Sequence, residues 1–496
     1  MKSLIAVLAL GLMFSGCPAA ADAPTVSVTT YHNSSDRSGR SLIPGLTWDR
    51  ARRVHLDPSF RTQITGHIYA EPLYWRPPGS GAGLLIVATE DDIVFALDAA
   101  TGATRWRAVL GSPVPRSSLS CGNIDPLGIT GTPVINERSQ TLYVDAVVGQ
   151  RDGPQHMVFG LSLRDGSVLP GFPLNVSEVL RAKGLHFNAR DQNERGALII
   201  AGGRVYVPYG GHFGDCGDYH GAVVGISLDD PKDVIGWETR GAGGGIWAPG
   251  GISFADQSLF VATGNTLNAK GWADGEAIIR LSLDLKTSDR PMDYFAPRNW
   301  RELDGQDSDL GGTNPLPLNV PSSGGTVPLL LALGKDGKAY LVDRRNLGGI
   351  GGALVEVMVS SRPIRTSPAA FLSGDGMLVA LAGDGVSCPN KADNSGLIVL
   401  KVNAAPRPGI ATAWCGSVQG AGAPIVTTSD ESGADPIVWI VGAEGDHRLH
   451  GFRGNTGEPL TSPGERLEGL RHFTTILAAN DHLYVADDAR IYAFGF

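Results

Sequence analysis

The sequence predicts an all-β fold made of repeated sheets, and three observations support this prediction. Glycine supplies 67 of the 496 residues, charged residues make up only 18%, and one apolar strand pattern returns eight times along the chain. Abundant glycine with few charges suits short strands joined by tight turns. Eight copies of a strand-rich unit predict a closed ring of four-stranded antiparallel sheets, an eight-bladed β-propeller.

The first unit, residues 84–106, carries the pattern most clearly. An apolar run is followed by the polar turn Glu90-Asp91-Asp92, and residues 93–97 then alternate with the period of a strand. In the next turn Gly102 can take a positive φ without a Cβ clash, and Trp106 follows on a third strand. Such a meander cannot bury its apolar faces alone, so it requires its copies.

The copies align on two columns of strand residues. The first column contains residues 86–88, 142–146, 205–209, 259–263, 330–334, 378–382, 438–442 and 483–487. The second contains Leu97, Leu161, Ile226, Leu281, Val342, Val402, Phe452 and Phe494. A β-helix would need much shorter periods, and a pair of β-sandwiches would not produce eight aligned columns.

Small residues usually open each unit, as in residues 131–135, 250–254, 366–371 and 422–426. Their size fits a crowded position near a central channel. The last unit, from Arg471 to Phe496, holds only three strands. We therefore expect part of residues 24–60 to complete the eighth blade, which would remove an open sheet edge.

The N-terminus resembles an export signal, with Lys2 before the apolar stretch Leu4 to Phe14. Two cleavage sites compete: a lipobox that would lipidate Cys17, and the Ala19-Ala20-Ala21 stretch. We expect an exported bacterial protein, either periplasmic or anchored as a lipoprotein. The expected divisions are a signal peptide (1–21), an N-terminal segment (22–62) and the propeller (63–496).

Four further cysteines allow three disulfide pairings. We favour Cys121–Cys216 with Cys388–Cys415, because each bond would join neighbouring segments. Disulfides suit an exported protein. A net charge of −9 without a dense cluster of Lys or Arg predicts no nucleic-acid partner.

Residues 95–102 together with Trp106 resemble the repeat of pyrroloquinoline-quinone (PQQ) dehydrogenases and their propeller relatives, among them a non-enzymatic outer-membrane assembly lipoprotein. The stretches TYHNSSDRSG, GHIYAEPLYW, GITGTPVI and GKDGKAYLVDRRNLGG resemble a group of exported bacterial PQQ-like propeller proteins. The resemblance extends over residues 29–496. It implies a propeller fold, and fold alone does not define an activity.

In the dehydrogenases of that resemblance, a disulfide between adjacent cysteines packs on PQQ, a tryptophan covers its other face, and Glu, Asn and Asp hold a calcium or lanthanide ion. This sequence has no Cys-Cys pair and no C-x-x-C-H haem motif, and only Trp106 follows a complete Thr-Gly turn. These differences argue against quinone-dependent oxidation.

A ligand site at one channel mouth is the main candidate, because residues beside the opening strands converge there. Its candidate residues are His67, Glu71, Glu194, Arg195, Trp247, Asn314 and Arg365. In the alternative interpretation, the acids and arginines neutralise one another, as buried charges must.

Two metal candidates are weaker. His212, Cys216 and His220 have four-residue spacing, but a loop braced by a disulfide at Cys216 explains them better. The acidic residues Asp304, Asp307 and Asp309 lack the spacing of a calcium-binding EF-hand loop, and a solvated acidic loop is the favoured explanation.

The sequence therefore favours a monomeric binding or scaffolding protein of the cell envelope, without an enzymatic role. Its partner would be a small molecule, a glycan or an envelope protein. One alternative is a periplasmic dehydrogenase using PQQ and calcium, with Trp247 as a stacking face and Glu71 or Glu194 as ligand or base. A second is a hydrolase or lyase acting on polysaccharide.

Overall fold

Eight antiparallel sheets follow one another along the chain in the computed structural model, which describes residues 27–79, 83–374, 376–389, 395–461 and 464–496. The expected signal peptide and Cys17 lie outside the described residues. Within them, no helix combines the length and apolar character needed to cross a membrane. The eight-bladed propeller predicted from the repeats is confirmed.

Two short strands precede the ring, and blades 1 to 4 then follow in chain order. The preceding strands are β1 (Arg40–Leu42) and β2 (His55–Leu56). Blade 1 contains β3 (Leu73–Trp75), β4 (Leu84–Thr89), β5 (Ile93–Asp98) and β6 (Thr104–Val109), and blade 2 contains β7 (Val134–Asn136), β8 (Thr141–Gln150), β9 (Gly153–Ser162) and β10 (Leu174–Asn175). Blade 3 contains β11 (Gln192–Asn193), β12 (Ile199–Ala201), β13 (Arg204–Gly211), β14 (Ala222–Ser227) and β15 (Val234–Glu238), and blade 4 contains β16 (Ser253–Ala255), β17 (Ser258–Thr263), β18 (Ala277–Ser282) and β19 (Tyr294–Ala296).

Blades 5 to 8 complete the ring. Blade 5 contains β20 (Leu316–Ser322), β21 (Gly325–Leu333), β22 (Lys338–Asp343) and β24 (Val355–Met358), while β23 (Gly349–Ile350) pairs back onto blade 4. Blade 6 contains β25 (Ala369–Ser373), β26 (Gly376–Ala382), β27 (Gly396–Asn403) and β28 (Gly409–Ser417). Blade 7 contains β29 (Ile425–Thr428), β30 (Ile437–Val441) and β31 (Leu449–Arg453), and blade 8 contains β32 (Ile476–Ala479), β33 (His482–Ala486) and β34 (Ile491–Gly495).

Helices are short and lie in connections. The α-helices are α1 (Trp48–Ala51), α2 (Val176–Ala182) and α3 (Trp300–Gly305), and the 3₁₀ turns are Tyr31–Asn33, Arg116–Ser118, Pro291–Asp293 and Leu310–Gly312.

The two aligned columns lie on the second and third strands of the blades, as their spacing predicted. Apolar side chains fill the spaces between neighbouring blades, and one such cluster joins Trp439 of blade 7 to Leu483 of blade 8. The small opening residues are indeed crowded. A Cβ atom at Gly131 would lie 2.1 Å from a carboxylate oxygen of Glu194, and one at Gly250 would lie 2.1 Å from the amide oxygen of Asn314.

Trp106 joins two blades, because its Nε1 donates a hydrogen bond to the Leu163 carbonyl at 3.0 Å. The turn before it is held by Asp98, whose carboxylate accepts from the Thr101 amide at 3.0 Å. Trp414 makes the corresponding bond to the Gly454 carbonyl at 2.9 Å without any Thr-Gly turn before it. The blade-joining tryptophan is therefore more frequent than the sequence motif indicates.

Residues 28–43, here called the axial segment, run along the innermost strands of the ring. The Thr29 carbonyl accepts from the Ile135 amide of blade 2 at 2.8 Å. Ser35 and Ser38 likewise accept from inner-strand amides of blades 4 and 6. Strand β1 then pairs in parallel with β29 on the inner side of blade 7. This course was not predicted, since the sequence indicated only an outer strand for this region.

Strand β2 lies at the outer edge of blade 8 and pairs antiparallel with β34. The adjacent Asp57 amide donates to the Ala493 carbonyl at 2.8 Å. That this pairing locks the ring stays a prediction, and proline at position 57 tests it because proline removes the amide donor.

We expect Asp57→Pro to lower the free energy of unfolding by about 2 kcal/mol in chemical denaturation, whereas Asp57→Asn keeps the amide and serves as control. Hydrogen exchange should quicken first at the amides of β34. Equal unfolding midpoints for the two variants would contradict a locking role.

Candidate functional site

A cavity of about 320 Å³ lies at one mouth of the channel. Its walls come mainly from two kinds of segment. One kind immediately precedes the innermost strand of a blade, in blades 3 to 8, and the other is the turn that follows the second strand of a blade. Its charged and aromatic lining residues are Arg195, His212, Phe213, Asp215, Tyr219, Trp247, Asp307, Asp309, Lys335, Arg362, Arg365, Glu444, His472 and Phe473.

The acids of the cavity are all engaged by neighbouring groups. Lys335 Nζ lies 2.7 Å from an oxygen of Asp307 and 2.6 Å from one of Asp309. Asp215 accepts from the Tyr219 hydroxyl at 2.6 Å, and Glu444 lies 2.7 Å from the ring of His472. Burial opposes the charge of Lys335, but Asp309 and Asp307 outweigh it and raise the pKa of the ammonium group.

The arginines differ from the acids. Arg362 donates to the Gly420 carbonyl at 3.0 Å and approaches Asp384 at 3.5 Å. The guanidinium groups of Arg195 and Arg365 have neither an ion pair nor a hydrogen-bond acceptor among the residues that the structure describes. Burial lowers the pKa of Arg195, and its guanidinium carbon lies 5.7 Å from the ring centre of Phe473.

Aromatic rings separate these charges. Trp247 donates from Nε1 to Asp309 at 3.1 Å, and Lys335 Nζ lies 5.0 Å above its ring. The ring centres of Trp247 and Phe473 are 6.5 Å apart. Phe473 has a φ of 70°, a left-handed conformation that is costly for a bulky side chain and occurs most often at functional sites.

Two neutral groups of the cavity also lack partners. His212 is only 3% exposed, and its Nε2 has no hydrogen bond; Thr366 Oγ1 is equally unpartnered. Burial, His156 and Arg195 together lower the pKa of His212 to about 4, so its ring is neutral at physiological pH. Because an unpaired buried polar atom is costly, such atoms point to a bound molecule or ordered water.

The favoured disulfide pairing is confirmed: Cys121 bonds Cys216, and Cys388 bonds Cys415. The first bond ties the segment that carries Asn123 to the loop that carries Phe213, and both residues line the cavity. Cys216 is therefore not a thiolate ligand. The proposed set of His212, Cys216 and His220 loses its sulfur donor for that reason.

Three of the seven channel-mouth candidates, Arg195, Trp247 and Arg365, line the cavity. Glu71 accepts the His32 amide at 2.9 Å beside the axial segment, and Glu194 accepts the Gly131 amide at 3.1 Å.

Like Glu71 and Glu194, the last two channel-mouth candidates, Asn314 and His67, do not line the cavity. Asn314 is fully buried, and its amide nitrogen donates to the Pro315 carbonyl at 3.3 Å. His67 lies 3.1 Å from Asp488. The alternative interpretation, in which Glu71, Glu194, Arg195 and Arg365 neutralise one another, finds no ion pair between any two of these residues.

The expected solvated acidic loop is wrong for Asp309, which is 2% exposed and paired with Lys335. Asp304 accepts from the Thr266 amide at 2.6 Å, and Asp307 binds the same lysine as Asp309. In the described parts of the chain, no three residues of the types His, Cys, Asp and Glu are grouped closely enough to hold a metal ion.

Sequence reasoning missed Lys335, Arg362, Glu444, His472 and Phe473 as cavity residues. The aligned repeat could have indicated two of these five residues. Lys335 and Glu444 closely follow the first aligned column in blades 5 and 7, and the ends of second strands reach the same mouth as the starts of inner strands.

The fold is similar to those of several solved quinoproteins. A quinohemoprotein alcohol dehydrogenase from Pseudomonas putida HK5 superposes with a TM-score of 0.63 at 12% identity, covering 95% of this chain and 80% of that one. The quinohemoprotein alcohol dehydrogenase from Comamonas testosteroni gives 0.61 at 14% identity, covering 94% and 80%. A europium-containing methanol dehydrogenase gives 0.60 at 14%, covering 95% and 91%. At these identities the likeness establishes the fold alone.

No protein-family model matches the sequence, and no curated protein matches it.

Proposed function

We propose that the protein is an exported binding protein that holds a small aromatic carboxylate in the channel-mouth cavity. The observation that carries this proposal is Arg195, a half-buried guanidinium in the cavity wall with no acceptor among the described residues. Partial burial removes some of the water that hydrates this charge, and a planar guanidinium suits bidentate binding of a carboxylate. Arg365 supplies a second free guanidinium at the same mouth.

The ring component of the ligand follows from the aromatic lining. Trp247 and Phe473 lie between Arg195 and Lys335, so a flat ligand could contact ring faces while its acid groups reach the arginines. The neutral Nε2 of His212 and the hydroxyl of Thr366 add hydrogen-bonding capacity for polar substituents. A cavity of about 320 Å³ accommodates a compact molecule of this kind.

Export is supported by the two disulfides, since such bonds persist in oxidising compartments. Anchoring through Cys17 remains part of the proposal, and mass spectrometry of the mature N-terminus tests it. A diacylated Cys17 would indicate a lipoprotein, and a free residue near Asp22 would indicate ordinary cleavage.

The quinone dehydrogenase alternative draws support from the likeness of fold, but its metal does not fit the residues present. Asp307 and Asp309 already neutralise Lys335, and neither disulfide joins adjacent cysteines, since the bonded residues are 95 and 27 positions apart. We therefore assign no redox step to the cavity. The polysaccharide alternative has less support, because Glu71, its proposed carboxylate, is 4% exposed and does not line the cavity.

PQQ, a planar tricarboxylate, is a suitable probe. We expect it to quench tryptophan fluorescence with saturable binding in the absence of metal, and Arg195→Met to weaken that binding about tenfold to a hundredfold. Arg407→Met, at an exposed site in the β27–β28 turn, is the matched control. Phenanthrenequinone, which has no carboxylates, should bind weakly to both proteins.

Trimesate, a single benzene ring with three carboxylates, serves as a smaller probe. Two results would overturn the proposal: Arg195→Met binding PQQ as tightly as the parent protein, or neither PQQ nor trimesate binding to the parent protein at millimolar concentration. Dye reduction on addition of PQQ and calcium with an alcohol would instead support the dehydrogenase.

A further inference from the structure

A pair of histidines lies on blade 3 outside the cavity lining. The rings of His186 and His220 have centres 5.3 Å apart and planes inclined by 20°. His220 was a metal candidate together with His212, but its ring neighbour is His186. The spacing in sequence gave no indication of this pairing, because His186 comes from the loop after α2.

One nitrogen of each ring is fixed by an acceptor. His186 Nδ1 lies 3.0 Å from a carboxylate oxygen of Glu238, and the other oxygen of Glu238 accepts the His186 amide at 2.7 Å. His220 Nδ1 lies 2.7 Å from the Thr239 carbonyl. Since a carbonyl and an ionised carboxylate only accept, both Nδ1 atoms carry the proton, and both Nε2 atoms keep a free lone pair.

This arrangement matches the way proteins prepare histidines for metals. Metal-bound imidazoles commonly donate their second N–H to a carboxylate or a backbone carbonyl, which fixes the tautomer and the ring orientation. Here two consecutive residues, Glu238 and Thr239, do so for both rings. Two prepared imidazoles side by side have no evident structural purpose, because His186 is 72% exposed and contributes little packing.

We propose that His186 and His220 bind one divalent transition-metal ion that prefers imidazole ligands, such as Zn²⁺, Ni²⁺ or Cu²⁺, through their Nε2 atoms. Water completes the coordination, because no third His, Cys, Asp or Glu in the described residues joins the pair. Two protein ligands imply micromolar affinity, weaker than the four-ligand sites that stabilise zinc domains. The exposed His186 ring can adjust to bring both nitrogens within about 2.1 Å of the ion.

Binding should strengthen as pH rises from 6 to 8, because protons compete for the same nitrogens. The charged and titratable groups facing His186 are Glu238, Asp218 and His220. The hydrogen bond to Glu238, and to a smaller extent the charge of Asp218, raise the pKa of His186.

Calorimetric titration of untagged, chelator-treated protein with ZnCl₂ at pH 7.5, repeated with NiCl₂, tests the proposal. We expect one ion per chain, and a dissociation constant raised about tenfold or more by His186→Gln and by His220→Gln. His450→Gln should have no effect, because His450 Nε2 lies 2.9 Å from a carboxylate oxygen of Asp446 and its ring faces Phe452, with ring centres 6.3 Å apart.

The proposal is overturned if the parent protein binds neither ion, if His186→Gln binds like the parent, or if His450→Gln loses as much affinity. Unfolding midpoints of all variants should be measured in parallel. If His220→Gln does not fold, the exposed His186→Gln variant decides the outcome alone.

Discussion

Replacing Arg37 by methionine is expected to lower the free energy of unfolding by about 4 kcal/mol. The Arg37 side chain is fully buried in the axial segment, where it donates to the carbonyls of Ile252 at 2.9 Å and Leu198 at 3.0 Å. It also donates to the Thr30 hydroxyl at 2.7 Å. Methionine fills similar space but leaves these buried acceptors without a donor.

Urea denaturation followed by tryptophan fluorescence measures the effect. Arg40→Met provides a matched control, because Arg40 lies three positions along the same segment with an exposed side chain. Its loss should stay within about 0.5 kcal/mol. An Arg37→Met protein within about 1 kcal/mol of the parent would show that the guanidinium does not hold the axial segment in place.

The second large expected effect concerns pH. The free energy of unfolding should fall by about 3 kcal/mol between pH 6.5 and pH 8. Buried carboxyl groups with raised pKa values cause this fall, and burial raises the pKa values of Glu194 and Glu276 in the same direction. Burial raises the pKa of Glu71 to about 8, that of Glu90 to about 7, and, with the charge of Glu90 beside it, that of Asp92 to about 8. In the unfolded chain these groups titrate near pH 4.

The sign follows from proton counts. Between pH 6.5 and 8 the unfolded carboxyls are ionised while the folded ones still hold protons, so the folded state binds more protons and loses stability as pH rises. Two buried histidines act in the opposite direction, weakly at the lower end of this range and mainly below it. Burial lowers the pKa of His32 to about 3 and that of His212 to about 4, so their stabilising contribution is lost as pH falls from 6.5.

Denaturation curves measured at half-unit pH steps test this expectation. The Glu71→Gln variant shows how much of the pH-dependent loss of stability comes from Glu71. The variant should lose about 1 kcal/mol of the pH-dependent change, whereas Glu137→Gln, at an exposed site, should keep all of it. Stability that is constant or rises from pH 6.5 to 8 would rule out protonated carboxyls in the folded protein.

The propeller could be predicted because each blade repeats a local pattern. Alternation of apolar residues, tight turns and small opening residues are all encoded within a few positions, as in the unit that ends at Trp106. The disulfide pairing could also be predicted, because each bond joins two segments that neighbour each other in the ring.

The cavity could be predicted only in part. Arg195, Trp247 and Arg365 precede inner strands, and all three line the cavity. Glu71 and Asn314 hold similar positions in sequence, yet they lie deeper, beside the axial segment and Gly250 respectively. Phe473 could not be found, because its side chain reaches the cavity through contacts with Trp247 and Arg195 of distant blades, which leave no local pattern. Nor does any local signal indicate that Lys335, which follows β21, would neutralise Asp309, which precedes the inner strand of the same blade.

The axial segment has a consequence for the order of folding. His32 Nε2 lies 3.2 Å from the Thr475 hydroxyl, a contact between residues 443 positions apart. The segment is made early by the ribosome, but blade 8, one of its partners, is made last. It must therefore wait beside an open ring until the final blade has emerged. Contacts this distant in sequence form slowly, so closure of the ring is expected to be a late step in folding.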